Sequence, residues 1–282
     1  MIIDAHTHTF PPAIADKVVA SLQQKAQSKA YTAGTDTALQ QSMKEAAIDI
    51  SLLLPVMTNP GQVEKLNDIA LQKNEQSQST GIVSLGGMHP DYENYAAELK
   101  RIASRGIPGI KLHPAYQNTD LDDMRYLRII EKAAELELAV VIHAGLDIGI
   151  MHHNFASVAH IKTILSTIHP DKFVLAHMGG WKDWDSVEAE LCGENVYFDT
   201  SFSLVAYVPP EGVFVPEQKR QMLQKEQFER IVKKHGAEKI LFGSDSPWSH
   251  QAESVKQIKE LNFSEEALKN ILYKNAKKLF SL

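Results

Sequence analysis

Two histidines stand two positions apart in Asp4-Ala5-His6-Thr7-His8, directly after the apolar pair Ile2-Ile3. Such a run reads as a buried strand, and side chains on a strand alternate between its faces. His6 and His8 therefore project to the same side. Two imidazoles on one rigid face can share a cation, each through a single ring nitrogen. Zinc and several other first-row metals accept such ligands. Taken alone, the pair could equally be two core histidines with satisfied hydrogen bonds.

The pattern recurs along the chain. One apolar run ends on His143-Ala144-Gly145, and another on His177-Met178-Gly179-Gly180. A third leads through Phe242-Gly243-Ser244 to an acid, Asp245. Ile110-Lys111-Leu112-His113-Pro114 sets a lysine and a histidine on one face of a short strand. Burying such a group without a partner costs roughly 2–7 kcal/mol. Polar strand ends that share this problem are best explained if they converge on one site.

The elements that must position these groups alternate in type. Strands are expected at residues 2–6, 50–55, 81–86, 109–113, 139–143, 173–177, 196–199 and 240–243. Helices are expected at 61–78, 94–105, 122–137, 155–168, 183–191 and 217–235, with 253–260 and 265–280 closing the chain. Ser264 reads as the N-cap of the last helix, and residues 23–37 as a helix end followed by a loop. Strands that are apolar throughout belong to a parallel sheet covered on its outer face. Eight strand–helix units predict an α/β fold of the (β/α)8 TIM-barrel type, in a single domain spanning 1–282. A doubly wound sheet is the weaker alternative, because no glycine-rich phosphate loop follows the first strand. Barrel enzymes carry their chemistry at the C-terminal ends of the strands, where each polar residue named above falls. The first and eighth strands are neighbours in a closed barrel, so Asp245 can reach His6 and His8.

Composition sets wider bounds. In 282 residues, 44% are hydrophobic, and 29 basic against 35 acidic side chains give a net charge of −6. Neither sign forms a block, which argues against a nucleic-acid surface. The only cysteine, Cys192, excludes an internal disulfide and suits a reducing compartment. No stretch reads as a signal peptide or membrane span, so a cytoplasmic protein is expected. Residues 201–216 mix Phe202, Tyr207 and Phe214 with prolines. Such a loop reads as a lid, as packing on its own barrel, or as the contact of a homo-oligomer.

With these motifs in order, the chain resembles the amidohydrolase superfamily of metal-dependent TIM-barrel enzymes, specifically its amidohydrolase 2 branch. The likeness rests on Asp-Ala-His-Thr-His, Gly-Ile-Lys-Leu-His-Pro, Ile-His-Ala-Gly, Leu-Ala-His-Met-Gly-Gly-Trp, Phe-Gly-Ser-Asp-Ser-Pro-Trp and the terminal Lys274-Asn275-Ala276. It implies that His6, His8, His143 and Asp245 bind a divalent metal, usually zinc. An open coordination position on such an ion would activate water, with Asp245 accepting its proton. His177 is implied either to polarise the substrate and shuttle a proton or to ligate a second ion. Lys111 matches a position that is carboxylated in some two-metal relatives. The favoured role here is a plain cation that holds a substrate anion, with His113 beside it. One ion is therefore expected, with a second left open.

Trp181 and Trp248 follow strand-end motifs and are candidate pocket walls, and His89 a candidate pocket residue. The adjacent pair His152-His153 diverges, and His160, His169, His235 and His250 read as surface residues. The expected activity is hydrolysis of an amide, lactone or ester of a small molecule. The alternative, given the mixed branch, is nonoxidative decarboxylation of an aromatic or unsaturated acid. Arg101, Arg105, Arg125 and Arg128 lie in helical stretches, which leaves Lys111 as the one well-placed anchor for a carboxylate.

Overall fold

The structure is a computed structural model that describes residues 1–282. Its strands are β1 (Ile3–Thr7), β2 (Ile50–Leu53), β3 (Ile82–Ser84), β4 (Gly86–Gly87), β5 (Gly109–Leu112), β6 (Ala139–Ile142), β7 (Phe173–Leu175), β8 (Tyr197–Asp199) and β9 (Ile240–Leu241). Every pairing is parallel, in the order β1-β2-β3 and β4 through β9. The third expected strand is broken at Leu85 into β3 and β4, and Leu85 still donates its amide to the Leu53 carbonyl. At the other seam, Ala5 donates to Phe242 O, Asp245 donates to His6 O, and Thr7 bridges Ser246. The two sheets thus close into the expected TIM barrel.

Two apolar layers hold it. The inner one packs Ile3, Ala5, Leu52, Val141, Val174 and Leu241 on the C-terminal Leu279 and Phe280, which plug the barrel. The outer one fills the space between strands and helices, with Ile110, Ile142 and Phe198 facing Ile130, Ile161 and Ile231. Residues of β6 alternate between these layers, Ala139 and Val141 inside and Val140 and Ile142 outside, so this strand is apolar on both faces. Strand β1 departs from regular alternation. Its register with β2 slips between Asp4 and Thr7, which inserts one residue into β1. The bulge lets Ala5 pack inside the barrel while His6 still reaches the cavity at its mouth.

Helices flank the strands largely as expected, with several differences. The one expected at 61–78 is divided into Val63–Glu75 and Ser77–Thr80, and Pro114–Gln117 is a short extra helix. The expected helix at 217–235 is interrupted: Glu217–Arg220 and Lys225–His235 are separate. The closing helix starts at Ser264, whose side chain accepts from the Ala267 amide, but it changes pitch over Asn270–Lys274 to a π-helix. That wider turn frees the Ile271 carbonyl to accept from Phe242, and the Asn275 side chain ties down Ala237 O and Ile240 O. Helix Pro12–Ala26 supplies the helix end expected within 23–37, and Asp36–Ala46 is a helix that was not expected. No helix is long and apolar enough to cross a membrane.

His235 is buried, not on the surface as its helical context suggested. Its Nε2–H donates to Val196 O, its Nδ1 accepts from the Gly193 amide, and its ring stacks on Phe198. Burial pushes its pKa down to about 4. The folded chain therefore holds this ring neutral, while the unfolded chain takes up a proton below pH 6.5. Stability from this group is present above pH 6.5 and is lost as pH falls toward 4. Between pH 7.5 and 5 the loss is about 2 kcal/mol. Urea unfolding at the two pH values should show it in the wild type and much less of it in His235→Gln. An equal acid response in both would refute it.

Candidate metal centre and cavity

The expected strand ends meet at one end of the barrel. His6 lies on β1 and His8 follows it, Lys111 lies on β5 and His113 follows it, His143 follows β6, and His177 follows β7. Asp245 lies four residues beyond β9, in the left-handed region at φ 68°. All seven line one cavity of about 530 Å³, together with Trp181 and Trp248. His89 is buried elsewhere, and its Nδ1 accepts from the Asp91 amide. His143 keeps its place through Gly145, at φ 81°, whose backbone runs against Trp181. A Cβ there would sit 2.3 Å from the Trp181 nitrogen.

Hydrogen bonds behind the histidines decide which ring nitrogens face the cavity. A backbone carbonyl can only accept, so the nitrogen pointed at one must carry the proton. His8 Nδ1–H donates to Leu54 O at 2.8 Å, and His177 Nδ1–H to Ser201 O at 3.0 Å. His143 Nε2–H donates to Leu146 O at 3.2 Å. His6 Nδ1–H donates to the Asp199 carboxylate at 2.8 Å. The remaining nitrogens of these rings then carry lone pairs, and these face other acceptors. His6 Nε2 is 3.5 Å and His8 Nε2 is 3.2 Å from the same oxygen, Asp245 Oδ1. His177 Nε2 is 3.0 Å from His143 Nδ1. Acceptor facing acceptor at these distances is repulsive unless a cation lies between them. His6, His8 and Asp245 form one group of donor atoms within reach of a single ion. The donor set therefore fits a divalent cation, with outer hydrogen bonds that fix each tautomer.

Burial reinforces the neutral state of these rings. It drives the His6 pKa down to about 4, with the Lys111 charge adding to the effect, and lowers His113, His143 and His177 as well. Asp199 is the functional residue that sequence reasoning passed over. Burial alone would raise its pKa, but His6, His177 and Ser201 together hold it below the usual carboxylate range. Its other oxygen accepts from the His177 and Ser201 amides, so one carboxylate holds the His6 ring and the backbone that carries His177. The signal was present, since Tyr197-Phe198-Asp199 ends an apolar run on an acid as the other site strands do.

A second trio, His113, His143 and Asp147, also brings its donor atoms together. The two rings stack at 4.1 Å with an interplanar angle of 15°, so their in-plane lone pairs run nearly parallel and do not converge on one ion. Asp147 was not anticipated. It is buried, 3.8 Å from His113 Nε2 and 3.7 Å from His143 Nε2, and burial raises its pKa to about 6.

Lys111 stands apart from this network. Its side chain is 1% exposed and its Nζ has no hydrogen-bond partner. Burial lowers its pKa to about 8, opposed by Asp199 and Asp245, so it is still mostly an ammonium at neutral pH. The Trp181 Nε1–H is likewise buried without an acceptor. Residues 201–216 mostly pack on the barrel: Phe202 lines the cavity, and the Tyr207 hydroxyl donates to Ala26 O. Of its large apolar side chains, Phe214, 84% exposed, and Val213 are the ones left open to solvent.

The family described as amidohydrolase has a profile that matches residues 3–282. No curated protein matches the chain. Among solved structures, it is similar to a 2,6-dihydroxybenzoate decarboxylase complexed with 2,6-dihydroxybenzoate. Identity is 13% and the TM-score 0.73, over 100% of this chain and 99% of that one. It is similar to a dihydroxybenzoic acid decarboxylase from a Polaromonas species, with bound manganese and the inhibitor 2-nitroresorcinol. There identity is 16% and the TM-score 0.68, over 100% and 97% of the two chains. It is also similar to a protein described as amidohydrolase II, at 15% identity and a TM-score of 0.72, with both chains covered fully. At these identities the likeness is one of fold.

Proposed function

The chain belongs to the amidohydrolase family, and from that premise we propose that it is a metal-dependent carboxy-lyase acting on a small unsaturated or aromatic acid. The observation that carries this reading is the buried Lys111 ammonium, which has no partner among the residues around it. A buried cation left alone is costly, and a substrate carboxylate supplies the missing anion. Decarboxylase neighbours of the same fold, one holding manganese, support the reading. His6, His8, His143 and Asp245 would hold a single divalent ion, with zinc and manganese both suited to nitrogen and carboxylate donors. When bound, such an ion supplies Lewis-acid polarisation and charge neutralisation at the substrate head.

The remaining work falls to the chain. Lys111 and the Trp181 Nε1–H, both buried without partners at the cavity, offer donors to the acid head. The bond from carbon to the carboxylate breaks, and its electron pair stays on that carbon. A proton must then reach the carbon, so that carboxylate plus proton becomes carbon dioxide plus the product with hydrogen in its place. Asp245 takes up this proton from solvent and returns it at the carbon, while His177 Nδ1–H stays on Ser201 O and its Nε2 lone pair faces His143. Hydrolysis is the second reading. Its support is the same Asp245, which could serve equally as base toward an attacking water.

The two chemistries separate in one assay. Metal-loaded protein incubated with hydroxylated benzoates and unsaturated acids should release one carbon dioxide per acid consumed. Turnover of lactones or amides with no carbon dioxide from any acid would overturn the lyase reading.

A further inference from the structure

The cavity has two unlike halves. Its floor holds the histidines, Lys111 and Asp245, while its outer wall is mostly apolar, with Thr9, Thr58, Gln62 and Lys65 interspersed. One side of that wall is helix Pro12–Ala26, which presents Ile14, Val18 and Leu22 to the cavity at intervals of four residues, on a single face. This helix buries only Ala15 and Ala26 of its fifteen residues, so its large apolar side chains are not used in the core. Opposite stands helix Val63–Glu75, with Leu66 and Ile69 three residues apart on its cavity face. Ile14 is 47% exposed, and Val18, Leu22, Leu66 and Ile69 are half-buried. Apolar surface left open in this way marks a binding surface, and here it is continuous with the polar floor.

We infer that the substrate is an amphiphilic acid whose apolar tail lies between these two helices while its carboxylate reaches Lys111. The carboxylate head rests on the function proposed above; the tail rests on the wall alone. A compact, heavily hydroxylated acid would leave the apolar side chains of the wall unfilled. An alkyl or aryl tail fills it.

Saturated straight-chain carboxylates from butanoate to octanoate test this, because they can bind but cannot react by either chemistry. Calorimetry on the metal-loaded protein should show one site, with affinity rising about fourfold per methylene. Ile14→Asp, at an exposed position that costs no core packing, should reduce that gain to below about twofold. Val18→Trp should instead end the gain at a shorter chain, which distinguishes a filled wall from a misfolded protein. A flat series in the wild type, with short acids still bound in a Lys111-dependent way, overturns the tail and leaves the proposed chemistry standing. The matching primary alcohols separate the opposite failure. If alcohols gain per methylene and no carboxylate outbinds its alcohol, the tail stands and the carboxylate head is wrong.

Discussion

Asp245→Asn is expected to lower turnover by about 10²–10⁴-fold, the usual cost of losing a positioned acid–base group. Asparagine keeps the shape of the side chain and one oxygen near His6 and His8, from which Asp245 Oδ1 is 3.5 and 3.2 Å away. It cannot take up and return a proton. Bound metal, measured by elemental analysis, should therefore persist in part while the chemical step fails. Under the lyase reading, the slow step becomes delivery of the proton to carbon, and a solvent deuterium effect should grow. Full activity at saturating metal would show Asp245 to be a passive ligand and remove it from the mechanism.

Lys111→Met is expected to act in two opposite directions. The side chain is buried and its ammonium has no hydrogen-bond partner. Replacing it with an apolar group of similar length removes an uncompensated charge, so the unfolding midpoint should rise. Binding of carboxylate ligands should weaken by about 10²–10³-fold, the scale for losing one partner of a desolvated charge pair. Metal content should stay unchanged. A variant that is less stable, or that loses half its metal, would show instead that the lysine is built into the centre, and the carboxylate anchor would be wrong.

Much of this site was legible because strand ends are punctuated by polar residues that a buried run cannot otherwise tolerate. His6, His143, His177 and Asp245 all announce themselves in this way. The barrel followed from eight apolar runs; the strand split at Leu85 lies where glycines replace side chains that could mark a boundary, and the bulge in β1 left no mark in its sequence. What stayed hidden depends on three-dimensional company. Asp199 looked like an ordinary strand end until its carboxylate was found behind both His6 and His177. Asp147 sits in a loop with no periodicity to mark it, and only folding brings it to His113. His235 continues the apolar stripe Phe228, Ile231, Val232 of its helix, a periodicity passed over for a polar residue at a helix end, and Phe198 and Val196 complete its burial. The wall formed by Ile14, Val18 and Leu22 was missed because its stripe faces a cavity and not a core.

The seam between β9 and β1 has a consequence for how the protein comes apart. Asp4 accepts from the Ser244 hydroxyl across 240 residues of chain and from the Gln251 amide, and Asp245 donates its own amide to His6. The group of His6, His8 and Asp245 straddles that same junction. A cation gripping both sides is then a clasp on the join between the first and last staves. Its removal would loosen this join before any other, letting the amide hydrogens of Ala5 and Asp245 exchange with solvent while those of β5 and β6 stay protected. Occupancy of the centre and integrity of the barrel would thus be read from the same two amides.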